Sequence, residues 1–312
     1  MQEHLFIINP VAGKKDRSAI IKKAVERLLL IEPYDVVVTS YAGNATEIVI
    51  DKLGKLKQGD FLRIYSCGGD GTLCEVVEGV YKTKKINCAV GVIPIGSGND
   101  FIKYFDIPAE LFRSLSDMVK GNIESCDIVR IKDGSGDIER IGVNIMSVGF
   151  DAAVAKGMQK FKRLPLVSGG TAYNMSVIQC IISKMRHKFR LIADGTEILD
   201  EKNEYLIAIC ANGSFYGGGF NASPLSDIKD GLLNFIRIKT VSLIKFASFI
   251  GKFKKGQHLT KLKEYCTHAF CSELKIIADK EIDVNIDGEI IPMTNPVISV
   301  LPNGVNIILP QK

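Results

Sequence analysis

A carboxylate set among glycines, Cys67-Gly68-Gly69-Asp70-Gly71-Thr72, offers main-chain amides that can close on an anion and one acid able to face a metal ion or take a proton. Two further loops have the same character: Asn9-Pro10-Val11-Ala12-Gly13 upstream, and Pro94-Ile95-Gly96-Ser97-Gly98-Asn99-Asp100 downstream. Small residues let polyphosphate approach the backbone closely, and Thr72 is suited to cap a following helix whose amino end carries partial positive charge. Asp70 would repel phosphate unless a divalent cation lies between them or the acid serves as a base. Three such loops together predict a nucleoside triphosphate site. They are neither a Walker loop nor a dinucleotide fingerprint, because no Gly-x-x-x-x-Gly-Lys-Ser/Thr occurs and no Gly-x-Gly-x-x-Gly follows the first strand. Lys14 and Lys15 follow Gly13, where a pair of lysines either approaches phosphate or is simply solvated.

Each loop needs an element to aim it, and the hydrophobic pattern supplies one. Apolar runs predict strands over residues 5–8, 34–39, 61–66 and 89–94, with helices over 17–30, 44–56 and 72–81 between them. Strands alternating with crossover helices make a parallel sheet covered on both faces, with the loops gathered at its carboxyl edge. Beyond residue 127 the pattern changes to short strand-like runs separated by turn dipeptides such as Asp133-Gly134, Asp194-Gly195 and Asp287-Gly288. Runs over 128–131, 139–148, 189–193, 205–211, 232–238, 274–278, 284–286, 296–301 and 305–309 predict an antiparallel sandwich, with helices near 157–187 and 242–262. The expected fold class is α/β: an N-terminal three-layer α/β domain, residues 1–125 joined by 303–312, and a C-terminal antiparallel β-sandwich, residues 126–302.

The gross numbers fit a packed enzyme. The 312 residues are 46% hydrophobic and 24% charged, which excludes disorder over most of the length. A net charge of +5 is too small and too scattered to argue for nucleic acid, but it permits an anionic substrate or surface. The eight cysteines (67, 74, 88, 126, 180, 210, 266, 271) lack zinc-site spacing. Cys266 and Cys271 flank His268, which reads as core packing, and reduced thiols point to a cytoplasmic chain. No apolar run reaches the length of a membrane span, and Met1-Gln2-Glu3-His4 leads directly into a strand rather than a signal peptide.

The three loops, in this order and spacing, resemble the catalytic domain of the diacylglycerol kinase family, the soluble bacterial lipid kinases in particular, with sphingosine and ceramide kinases as relatives. The similarity continues through Ala211-Asn212-Gly213-x-x-Tyr216-Gly217-Gly218-Gly219, through Asp230-Gly231-Leu232-Leu233, and through Asn285-Ile286-Asp287-Gly288-Glu289. The resemblance implies ATP and Mg2+ as cofactors and a two-domain plan shared with NAD kinases. It implies that Asn9, Pro10, Gly13, Thr39, Gly68, Gly69, Asp70, Gly71, Thr72, Glu75, Gly96, Ser97 and Asn99 belong to the nucleotide site, and that Glu289 accepts the proton of the lipid hydroxyl. It further implies a structural magnesium on the carboxylate of Asp230 and the main-chain oxygens of Asp227 and Leu232. Asp70, Asp100 and Asp127 match acidic positions that organise the catalytic magnesium through water. Cys74 and Ala12 depart from the family, which usually has Asn and Ser there; both changes remove a side-chain hydrogen-bonding group near the nucleotide.

An alcohol is a poor nucleophile at neutral pH, so a carboxylate to take its proton, with metal and amides to hold developing charge, is the minimum machinery for phosphoryl transfer. The leading expectation is an ATP-dependent lipid kinase acting on diacylglycerol or a related lipid. The alternatives are a small-molecule kinase like NAD kinase and a non-catalytic nucleotide or lipid sensor. Two basic segments interleave with apolar residues: Lys156, Lys160, Lys162 and Arg163 with Met158, Phe161 and Leu164, and Lys245, Lys252, Lys254, Lys255, Lys261 and Lys263 with Phe246, Phe249, Ile250 and Phe253. Such segments suit either peripheral contact with anionic lipid or ordinary packing onto the sandwich. The residue pattern permits pairing of two copies without demanding it.

Overall fold

The computed structural model describes residues 1–154, 186–200 and 202–311. All but the end of the helix expected at 157–187, and with it the first basic segment, lies outside the described residues.

Four parallel strands, β1 (Gln2–Ile8), β2 (Tyr34–Val38), β3 (Phe61–Gly68) and β4 (Cys88–Pro94), stand in the order β2-β1-β3-β4. The crossovers are α1 (Ser18–Glu26), α2 (Asn44–Lys55) and α3 (Asp70–Thr83). β4 is buried along its whole length and β3 over all but its first residue, as apolar runs between helix layers require. Their side chains join Val25, Val49, Leu53, Val76 and Val77 of the helices in one core. A 3-10 turn (Phe101–Phe105), α4 (Ala109–Arg113) and α5 (Leu115–Val119) follow the third loop; the sequence pattern gave no element there, because each is too short to show a period.

The second half contains β5 (Asn122–Lys132), β6 (Glu139–Gly142), β7 (Ile145–Gly149), β8 (His187–Lys188), β9 (Arg190–Ala193), β10 (Thr196–Glu197), β11 (Glu204–Ala211), β12 (Phe215–Tyr216), β13 (Phe220–Asn221) and β14 (Leu233–Lys239). Helices α6 (Leu243–Lys254) and α7 (His258–Lys261) follow, then β15 (Cys266–Cys271), β16 (Glu273–Ile277), β17 (Ile282–Ile286), β18 (Glu289–Met293) and β19 (Val297–Leu309). An antiparallel sheet in the order β15-β14-β11-β7-β17-β18 packs against β9, β16, β19 and β5, with Val148, Phe235, Leu274, Ile276, Val284 and Ile298 among the residues between the layers.

The two halves share a sheet. β19 is one strand of 13 residues: its end pairs parallel with β4 (Ile307 with Val90), its start pairs antiparallel with β16, and β5 runs antiparallel along its length. The position 125/126, where the sequence suggested a boundary, falls inside β5. Pro302-Asn303-Gly304, which reads as a turn between two strands, is instead a bulge within β19, with Asn303 in the left-handed region (φ 53°) and a register shift between Leu301 and Val305. A strand shared in this way fixes the two halves relative to each other without a flexible linker.

Candidate active site

The three glycine loops meet. Gly13 lies in the left-handed region (φ +79°), and a β-carbon there would come within 2.4 Å of the Ile95 carbonyl oxygen. A β-carbon on Gly96 would lie 2.5 Å from the Cα of Gly69. Only glycine permits either approach, and the loops after β1, β3 and β4 thereby form one surface. Asn9 Nδ2 donates to Thr72 Oγ1 at 2.9 Å, joining the first loop to the start of α3. Gly69 is the helix N-cap, so the unpaired first-turn amides of α3 open onto the same surface.

Asp70 is held by its neighbours across the sheet edge. Its Oδ1 accepts from the main-chain amides of Asp100 (2.8 Å) and Phe101 (3.2 Å), tying α3 to the 3-10 turn. Burial pushes its carboxyl up to about 6, the nearby Asp100 and Asp287 carboxylates add to the rise, and the two amides oppose it. Asp100 bridges the halves: Lys103 Nζ donates to its Oδ1 at 2.5 Å, and the amide of Gly218, in the Tyr216-Gly217-Gly218-Gly219 turn between β12 and β13, donates to its Oδ2 at 2.8 Å.

The Asp-Gly-Glu turn arrives from the opposite side. It is the hairpin between β17 and β18, with Asp287 and Gly288 both at positive φ (48° and 100°). Asp287 is enclosed, and burial raises its pKa against the pull of its donors. Those donors are the amides of Val143 (2.7 Å), Asn144 (3.2 Å) and Ile145 (2.7 Å), plus the thiol of Cys74 on α3 (Sγ to Oδ2, 3.1 Å). Burial, followed by the Asp287 charge, raises the Cys74 pKa well above its ordinary value, so the sulfur is a thiol donor at neutral pH. Cys74 therefore supplies a hydrogen bond of its own where the family Asn is missing. The same amides explain why the expected strand over 139–148 divides into β6 and β7: residues 143 and 144 turn their N–H groups to Asp287 instead of a neighbouring strand. Glu289, two residues on, is exposed at the hairpin.

All of this borders one cavity of ≈ 1360 Å³. Of the residues expected at the nucleotide, Asn9, Gly13, Gly69, Asp70, Gly71, Thr72, Glu75, Gly96 and Ser97 line it, as do Asp100 and Glu289. Pro10, Thr39, Gly68 and Asn99 do not. Thr39 is tied to Ile8 at the end of β2, Gly68 accepts the amides of Ile95 and Gly96, and Asn99 Nδ2 caps the Gly96 carbonyl, so these residues shape the loops from behind. Glu75 accepts from the Ala45 amide at the start of α2, which brings that helix to the cavity wall. Asp127, Asp227, Asp230 and Leu232 lie apart from the cavity. Asp127 is buried with its two oxygens on the amides of Gly231 and Asn303, beneath a turn in which Asp230 accepts from Leu232 and Asp227 from Lys229. Burial raises the Asp230 carboxyl, and Asp227 and Asp127 add like charge. Among the described residues no group of three or more His, Cys, Asp or Glu side chains has the arrangement of a metal centre.

The far end of the cavity is apolar, a feature the motifs did not signal. Phe150, Val154, Leu206, Ile207, Ile238, Phe246, Phe249 and Phe253 line it. Helix α6 turns Phe246, Phe249 and Phe253 inward onto β11 and β14, while Lys245, Lys254 and Lys255 are exposed, so its apolar face packs on the sandwich and leaves a pocket beneath it. Asp151, also absent from the sequence reading, lines the same cavity. Cys266 and Cys271 are buried core thiols with His268 exposed between them on β15, as the packing reading expected.

Residues 3–131 match the family model described as the diacylglycerol kinase catalytic domain, and residues 144–309 match the YegS C-terminal NAD kinase beta sandwich-like domain. The chain belongs to the diacylglycerol kinase family of lipid kinases. It is 28% identical over 252 residues to proteins named diacylglycerol kinase in two Mycobacterium tuberculosis strains, CDC 1551 and H37Rv, covering 78% of this chain and 75% of each relative. A crystal structure titled as a diacylglycerol kinase of Bacillus anthracis shares the fold, with a TM-score of 0.69 at 21% identity over 98% of this chain and 96% of that one.

Proposed function

We propose that the chain transfers the terminal phosphoryl group of ATP to a hydroxyl of a membrane lipid, diacylglycerol or a close relative, in the cleft between the glycine loops and the Asp-Gly-Glu hairpin. The observation that carries this reading is a single cavity with amides and carboxylates at one end and aromatic and aliphatic side chains at the other. A polyphosphate suits the first end and an acyl chain the second. A small polar acceptor such as NAD has no use for Phe246, Phe249 and Phe253, which favours the lipid over the NAD kinase alternative.

In this reading the glycine loops and the first turn of α3 bind the phosphates. The acceptor oxygen forms its bond to the terminal phosphorus as the bond to the bridging oxygen of ADP breaks, and the hydroxyl proton passes to the Glu289 carboxylate. In this reading Asp70 and Asp100 hold Mg2+ through water; burial and the nearby Asp100 and Asp287 carboxylates raise the Asp70 carboxyl, and a divalent cation would relieve that charge alongside Lys103, which pairs with Asp100. When bound, that cation shields the charge of the triphosphate. Asp230, with the carbonyls of Asp227 and Leu232, is proposed to hold a second, structural magnesium. No helix among the described residues is long and apolar enough to cross a membrane. Access to lipid is therefore assigned to peripheral contact, with Lys245, Lys254 and Lys255 outside α6 facing anionic headgroups. Incubating the purified protein with ATP, magnesium and a panel of dispersed lipid alcohols, with NAD as the competing acceptor, and weighing the products by mass spectrometry tests the reading. Phosphorylated lipid is expected, and NADP as the sole product would overturn it.

A further inference from the structure

The cavity wall contains a carboxylate that phosphoryl transfer, as described above, does not use. β7 ends at Gly149, which has positive φ (+117°) and where a β-carbon would lie 2.6 Å from the Leu206 carbonyl oxygen; the chain then turns into the helical residues 150–154. This turn sets Asp151 beside the paired residues Ser147 of β7 and Asn285 of β17. Asp151 Oδ2 accepts from the Ser147 hydroxyl and from Asn285 Nδ2 (3.0 Å). Asn285 Oδ1 in turn accepts from the amide of Gly288, next to Glu289. Among the described residues Asp151 Oδ1 has no hydrogen-bond partner, although it is shut off from solvent. Its neighbours along the cavity are Phe150, stacked edge-on against Phe246 on the apolar side, and the Asp-Gly-Glu hairpin on the other.

An acid enclosed with one oxygen satisfied twice and the other not at all is costly, and such a group in a native structure calls for a donor that arrives later. Burial raises the carboxyl of Asp151, and the bonds from Ser147 and Asn285, with smaller contributions from the nearby main-chain amides of Ala152 and Asp151, oppose the rise. On the lipid kinase reading, the acceptor lies with its chain among Phe246, Phe249 and Phe253 and its reacting hydroxyl near Glu289, so its head group passes Asp151. We infer that Asp151 is a specificity residue whose Oδ1 receives a second hydrogen-bond donor, a hydroxyl or an ammonium, carried by the acceptor beside the hydroxyl that is phosphorylated. This inference rests on the lipid reading of the cavity. It favours head groups with two donors, such as a monoacylglycerol or a sphingoid base, over diacylglycerol, whose other two oxygens are esterified.

The test compares kcat/KM for monooleoylglycerol and for sphingosine with that for oleyl alcohol, all in the same detergent micelles, in the wild type and in Asp151→Asn. An Asn here can keep its amide oxygen on Ser147 and Asn285 and present an N–H where Oδ1 stood, reversing the polarity of that point alone. The wild type is expected to favour the two-donor acceptors by about 10–100-fold, and the variant to bring that ratio to within about 3-fold of unity. The two arms distinguish a hydroxyl from an ammonium as the preferred donor. A wild type without the preference, or a variant that loses rate on all three acceptors with the ratio unchanged, overturns the assignment, because a merely structural Asp151 would lower rates and spare the ratio. Displacement of a fluorescent fatty alcohol by the same lipids reads the preference without turnover. If no lipid is phosphorylated yet monooleoylglycerol or sphingosine displaces the probe better than oleyl alcohol, and Asp151→Asn removes that difference, the site stands and the kinase reading falls; equal displacement by all three overturns the site.

Discussion

Replacing Asp70 with Asn should make the protein more stable and catalytically dead, and the two effects have one cause. The Asp70 carboxyl stands at about 6 in the folded protein against an ordinary value of 3.8, first because it is buried and then because Asp100 and Asp287 lie near. A carboxyl raised on folding is ionised in the unfolded chain before it is ionised in the native one, so the penalty is absent below about pH 4, grows between pH 4 and 6, and is complete above. The gap corresponds to about 3 kcal/mol at neutral pH if the site were dry, and the opening of the cavity to water reduces this to about 1–3 kcal/mol. Asn keeps an acceptor for the amides of Asp100 and Phe101, so the contact between α3 and the 3-10 turn survives. At about 2–4 °C per kcal/mol, the variant should melt several degrees above the wild type at pH 7.5 in the absence of nucleotide and divalent cations, and the difference should vanish near pH 4. Saturating Mg2+ with nucleotide should narrow the gap at pH 7.5 by stabilising only the protein that retains the charge. Phosphoryl transfer by the variant should fall at least about 100-fold. A variant melting at or below the wild type at every pH would refute the electrostatic reasoning; retained turnover would remove Asp70 from the mechanism.

Glu289 makes the opposite case, because it is exposed and its loss leaves no buried hole: Glu289→Gln should cut kcat at least about 100-fold with the melting temperature unmoved, checked by initial rates and calorimetry on the same preparation. Asp287→Ala should strand the amides of Val143, Asn144 and Ile145 together with the Cys74 thiol, at about 1–3 kcal/mol for each group left unsatisfied, and so lower stability by about 3 kcal/mol or more in a denaturant titration. Cys74→Ser, which keeps a donor, should cost less than Cys74→Ala in the same titration.

Legibility in the sequence followed the range of the forces. The strands and crossover helices of the first half could be read to within a few residues because a strand in a covered sheet is set by its own apolar run and a crossover helix by its own period. The glycine loops could be read because close backbone approach admits no other residue at Gly13 or Gly96. What could not be read depends on partners far along the chain. The break at residues 143 and 144 is made by a carboxylate at 287, and the bulge at Asn303 by a hydrogen bond from its amide to the Asp127 carboxylate. β15 and β18 exist because β14 and β17 offer edges to pair with, a fact no local pattern contains. Asp151 gave no sign in a window of its own, since its meaning comes from Ser147, Asn285 and an apolar cavity built from β11, β14 and α6.

The same long-range contacts give the site its coherence. The nucleotide surface belongs to the carboxyl edge of β1, β3 and β4, and the proposed base belongs to a hairpin in the other sheet, so catalysis needs the two held in register. Connections at different depths do this, among them β19 hydrogen-bonded to β4 on one side and β16 on the other, Asp100 clasping the Gly218 amide, Cys74 donating to Asp287, and Tyr81 of α3 donating to Glu139 of β6. The first is a continuous strand that opens only with the fold itself. The others are single hydrogen bonds to carboxylates, each small beside the sheet, and those to Asp100 and Asp287 lie at the cavity. The carboxylates of Asp100 and Asp287 both lie within electrostatic reach of Asp70, where the charge of a bound nucleotide would be felt first, so these two contacts couple the register of the halves to the charge in the site.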